Sequence, residues 1–164
     1  MNRPARNDRD GADTIRVMTA ATGAGSGVEP AGRTVLVYSN SADVRAAVRT
    51  AVGRRPAPDT GRIEWVECGK YAEVIAQLDE GGLDLVILDG EAQPTGGMGL
   101  ARQFKYEIDN CPPVVVLIAR PQDAWLASWS LADAVINTPI DPIEAAAVVA
   151  EQIRRSDAAI PVVR

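Results

Sequence analysis

Between Arg33 and Arg155 the apolar residues switch repeatedly between two spacings. RTVLVYS (33–39) is a short β-branched run, the pattern of a buried strand. SADVRAAVRTAVG (41–53) places Val44, Ala47, Val48, Ala51 and Val52 at helical spacing and ends in glycine. RIEWVEC (62–68) alternates as a half-buried strand does, and YAEVIAQLDEGG (71–82) predicts a helix closed by glycines. LDLVILD (83–89) and PPVVVLIA (112–119) are continuous apolar strands, with a helix over GLARQFKYEID (99–109) between them. QDAWLASWSLA (122–132) predicts a fourth helix, DAVIN (133–137) a fifth strand and DPIEAAAVVAEQIRR (141–155) a last helix. In that last helix Asp141 is the N-cap, Pro142 takes the first position and Glu144 stands where a capping box needs it. Five strands alternating with five helices make an α/β fold, a parallel sheet covered on both faces. Ligands in such sheets sit at the carboxyl ends of the strands. Asp89 ends one of them, and a charge at the tip of a buried strand is costly unless something satisfies it.

Residues 1–32 break this rhythm. TAATGAGSGVEPAG has small residues, glycines and no periodicity, which predicts a disordered N-terminal tail. The organisation expected is that tail, a domain over 33–155 and a short C-terminal tail over 156–164, with Met1 and Met18 both open as the start. The formal net charge of −5 argues against a general nucleic-acid binder. No apolar run reaches the roughly 18 residues a membrane span needs, and the N-terminus has no secretory h-region, so the expected compartment is the cytoplasm. The 164 residues include no histidine, which removes Ser/His/Asp triads, Cys/His dyads and histidine-ligated zinc. Cys68 and Cys111 form no CxxC and read as free structural thiols. Nothing in this inventory predicts an enzyme.

Three stretches carry a resemblance. VLVYSNSADVRAAV, DLVILDG and ADAVINTPIDPIE resemble the first strand and helix, the third strand, and the fifth strand with its following turn in receiver domains of two-component response regulators, the chemotaxis-regulator type. The resemblance covers about residues 33–155 and implies a flavodoxin-like (βα)5 sheet with strand order 2-1-3-4-5. It implies that Asp89 stands at the phospho-acceptor position and that a cis peptide precedes Pro139. The other functional positions depart from the pattern. Receivers usually carry an acidic pair where this chain has Ser39 and Asn40, and a serine or threonine where it has Ile118, followed by Ala119. They usually carry a lysine where it has Thr138 and an aromatic switch residue where it has Val135.

Phosphoryl transfer to a carboxylate rests on positioning and charge neutralisation, with magnesium held by hard oxygen ligands. Ser39 and Asn40 bring oxygens without charge, so Asp89, Asn40 and Glu91 would make at best a weak site, and magnesium enters only if phospho-acceptor activity survives. Asp89 is then expected to be held by Ser39, Asn40, Thr138 or backbone N–H groups. With no effector segment after the last helix, the expected function is a stand-alone receiver serving as a protein-interaction module, an adaptor or accessory subunit docking on a larger assembly. The alternative is a working phospho-acceptor served by a histidine kinase. The resemblance places docking on the face of the fourth helix, fifth strand and fifth helix. Trp125 and Trp129, four residues apart, share a helical face there, with Val135 nearby. Trp129 is balanced between surface and core, whereas Trp125, Leu126 and Leu131 are expected in the core.

Overall fold

The computed structural model describes residues 29–159. The N-terminal tail up to residue 28, including Met18, and residues 160–164 lie outside the described residues. Five parallel strands form one sheet in the order 2-1-3-4-5. They are β1 (Arg33–Tyr38), β2 (Ile63–Cys68), β3 (Leu85–Asp89), β4 (Val114–Ile118) and β5 (Ala134–Asn137). The helices are α1 (Ala42–Val52), α2 (Tyr71–Glu80), α3 (Gly97–Glu107), α4 (Ala124–Trp129) and α5 (Pro142–Ala159).

Strand alternation divides the core in two. Leu36, Tyr38, Val86, Leu88, Val114, Val116 and Ile118 point to the face covered by α2, α3 and α4, with Phe104 of α3 among them. Val35, Val37, Leu85, Ile87, Val115 and Leu117 point to the face covered by α1 and α5. This is why β3 and β4 read as unbroken apolar runs: every one of their residues is buried. The half-polar β2 pairs only with β1 and is an edge strand. Cys68 and Cys111 are free thiols, and burial pushes Cys68 up to about 11.

Several helix ends differ from the sequence reading, and α3 lies two residues earlier, at Gly97–Glu107 rather than 99–109. α5 continues past Arg155 to Ala159, where Asp157 makes a bidentate pair with Arg33 of β1 at 2.7 and 2.8 Å. Its capping box is absent. Asp141 caps the helix by accepting from Ile143 N–H, but Glu144 reaches back to the Asn137 N–H at 3.2 Å. The fourth helix is shorter than its sequence pattern, a 3-10 turn at Pro121–Asp123 followed by six α-helical residues.

α4 also turns opposite to expectation at Trp125 and Leu131. The sequence places both in the core, yet Trp125 is 66% exposed and Leu131 45%. The buried positions of this segment are Asp123, Ala127 and Ser130. These positions, at spacings of four and three, form the face turned to the core, and Trp125 lies off it. Leu126 is half-buried.

Candidate functional site

The register sets four strand ends side by side. Tyr38 pairs with Leu88, Asp89 with Leu117 and Ile118 with Asn137, so Ser39, Asp89, Ile118 and Thr138 emerge along one edge. Asp89 is 7% exposed. Its two oxygens have separate partners: the Ser39 hydroxyl donates to Oδ2 at 2.7 Å and the Glu91 N–H donates to Oδ1 at 2.9 Å. A carboxylate oxygen accepts, so the Ser39 hydroxyl is the donor, and its oxygen in turn accepts from the Ser41 N–H at 3.0 Å. Bonds to a charged acceptor are the stronger kind, so the buried carboxylate is satisfied within the chain.

Of the four partners the sequence offers for Asp89, Ser39 and a backbone N–H serve. Asn40 and Thr138 do not. The Asn40 side-chain oxygen accepts from the Gln93 N–H at 2.9 Å and so ties the β1–α1 loop to the β3–α3 loop. The Thr138 hydroxyl donates to the Ile118 carbonyl at 3.3 Å. The Thr138–Pro139 peptide bond is cis, in line with the resemblance, and a second cis bond occurs at Gln93–Pro94. The Ile118 side chain is core, and Ala119 is exposed. Val135 is half-buried against the same core.

Two residues at this edge escaped the sequence reading. Tyr38 is buried, and its hydroxyl donates to the Thr95 carbonyl at 2.7 Å, a second tie to the β3–α3 loop. Burial first and the Asp89 charge second push the Tyr38 phenol above its ordinary value, so it stays a donor. Arg120 feels the charge of Glu91, but its guanidinium is already held by Asp123 at 3.0 and 3.1 Å, which raises its pKa. An arginine two residues past the end of an apolar strand is a signal the sequence contains; its commitment to Asp123 is visible only in three dimensions.

These contacts do not fit a magnesium ion. Magnesium requires several hard, preferably charged oxygens in octahedral array. Both Asp89 oxygens and the Asn40 oxygen accept from the chain's own donors, the Glu91 side chain is exposed, and no group of three acidic, cysteine or histidine side chains able to hold a metal occurs among the described residues.

The loop is also held by close backbone packing. A Cβ at Gly97, the first residue of α3, would lie 2.7 Å from the Asp89 carbonyl oxygen, and one at Gly90 would lie 2.5 Å from the Leu117 carbonyl oxygen. Both obstacles are backbone atoms. Gly97→Ala is therefore expected to cost about 1–3 kcal/mol, the range for overpacking. Urea denaturation checks this, and a loss below about 0.5 kcal/mol would mean that the α3 N-terminus is not seated against Asp89.

No family model matches the chain. It is 52% identical to a response regulatory protein of Mycobacterium tuberculosis, found in two strains, over 109 residues that make up 66% of this chain and 82% of the relative. Among solved structures it resembles a response regulator receiver domain protein from Clostridium thermocellum, with a TM-score of 0.64 and 18% identity over 78% of this chain and 99% of that one. The CheY-like receiver domain protein of Methanospirillum hungatei is similar, with a TM-score of 0.61 and 13% identity over 78% and 98%. At such identities the structures speak for the fold. No described helix is long and apolar enough to cross a membrane.

Proposed function

This chain belongs to the response regulator family and folds as its receiver domain, and from that premise we propose that it is a non-enzymatic protein-interaction module that works without phosphorylation. It is an adaptor or accessory subunit that docks on a larger cytoplasmic assembly. The observation that carries the reading is the state of Asp89. Both carboxylate oxygens are engaged by Ser39 and the Glu91 N–H, with Ser39 and Asn40 where receivers usually carry acids and Thr138 where they carry lysine, and the nearby Arg45 is held by the Ser39 carbonyl and Glu67. An incoming phosphodonor must break a charge-assisted bond without help from a metal. The hydrogen bonds from Asn40 and Tyr38 to the β3–α3 loop further support a pocket held in one arrangement.

Intact mass after incubation with acetyl phosphate and magnesium tests this, with Asp89→Asn as control. The expected result is no phosphoryl-sized gain. A gain that the control lacks would instead favour a phospho-acceptor served by a histidine kinase.

A further inference from the structure

The surface between α3 and α4 differs from the remaining exterior. Trp125 and Trp129 are 66% and 48% exposed, and Tyr106 is 69% exposed. The Arg102 guanidinium lies between two of these rings, 4.4 Å from the Trp129 centroid and 5.0 Å from that of Tyr106. It donates to the Trp129 carbonyl at 2.6 Å and the Tyr106 hydroxyl at 3.2 Å. Among the described residues no carboxylate lies within 4.0 Å of it, whereas Arg33, Arg45, Arg49, Arg120 and Arg154 all pair with acids. A guanidinium has five N–H donors in a rigid fork, so several remain for another molecule. Leu131 closes the patch at the end of α4. Its φ is +66°, a left-handed conformation that suits glycine and strains a leucine. Its N–H donates to the Ser128 carbonyl at 3.1 Å and so ends α4, while its side chain stays 45% exposed beside Trp129 in sequence.

Trp, Tyr and Arg are the residues that anchor protein interfaces, and here the arginine is pre-organised by stacking. We infer that the α3–α4 ridge docks an acidic, apolar segment of a different protein, its apolar side chains covering the two indoles and its carboxylate taking the free fork of Arg102. The inference rests on the interaction-module reading and moves the contact from the α4–β5–α5 face to the α3 side of α4. Charge selects the occupant. A two-fold contact between copies of this chain centred on Arg102 would set one guanidinium against the other and leave both without a carboxylate. A segment carrying Asp or Glu neutralises the cation while the aromatic rings exclude water from the pair, which is where such a pair counts most.

The test is photo-crosslinking in the native host with the full chain. One variant carries p-benzoylphenylalanine in place of Tyr106, and a second carries it in place of Ile143, an exposed residue on α5. Adducts from position 106 should map to a partner segment with Asp or Glu among apolar residues. Their yield should fall roughly tenfold or more on adding Arg102→Glu and recover in part with Arg102→Lys, circular dichroism showing each variant folded. Adducts to a segment without carboxylates, to a second copy of this chain, or indifferent to Arg102→Glu would overturn the inference. Adducts from position 143 alone would overturn it while leaving the interaction-module reading standing, and none from either position would sink both.

Discussion

Replacing Ser39 and Asn40 together by aspartate is expected to turn a chain indifferent to magnesium into one that depends on it. Ser39 is fully buried, and its hydroxyl touches Asp89 at 2.7 Å. Ser39→Asp exchanges that donor for a second carboxylate, and Asn40→Asp adds a third beside it. Like charges in a buried site cannot all ionise, so the pair takes up a proton or the fold weakens. Without divalent ions, a loss of about 3 kcal/mol at neutral pH is the expected scale. The sign with pH follows from the raised folded pKa. The penalty is absent below the ordinary carboxylate value of about 4 and grows as pH rises through the pKa of the coupled group. Magnesium at about 100 times its Kd should then return about 2.7 kcal/mol. Thermal melts of the parent and the double variant, with and without magnesium, read all of this. If the parent itself gained stability from magnesium in a saturable way, its pocket would bind the ion as it stands, and the proposed function would fall.

Phe104→Ala is expected to give the largest loss from a single truncation. This is the chain's one phenylalanine, and it is buried on α3 in the core face that also holds Tyr38, Leu88, Leu100 and Val116. Removing the ring forfeits its transfer free energy and leaves a cavity, a cost of about 3–5 kcal/mol. For a domain of this size that is a fall in Tm of about 10–15 °C. Phe104 is on the buried side of the same helix that carries Arg102 and Tyr106, so partner binding should weaken with it. Calorimetry checks the first effect. A loss under about 1.5 kcal/mol would mean that α3 is less firmly packed than the burial of Phe104 implies.

The alternation of strands and helices, the parallel α/β class, and Asp89 at a strand tip were all legible along the chain, because each rests on local period and on a charge ending an apolar run. So were the positions where the chain departs from the receiver pattern, since composition alone removes histidine and the resemblance marks Ser39, Asn40 and Thr138. Which neutral group holds Asp89 was not legible. Ser39, Asn40, Thr138 and the loop N–H groups were equal candidates until the register brought strand ends together and committed Asn40 to Gln93 and Thr138 to Ile118.

The tryptophans divide the same way. Their spacing of four residues determined that Trp125 and Trp129 share a face of α4, because that follows from helix geometry. Whether that face looks inward depended on tertiary packing, which turns Asp123, Ala127 and Ser130 to the core instead. The pairing of Trp129 with Arg102, 27 residues earlier, belongs to no local period. Period acts between neighbours in sequence and determined the elements, while the resemblance marked where the residues around Asp89 depart from the receiver pattern. The ligation of Asp89 and the aromatic ridge arise between residues distant in sequence, and only the packed sheet and helices decided them.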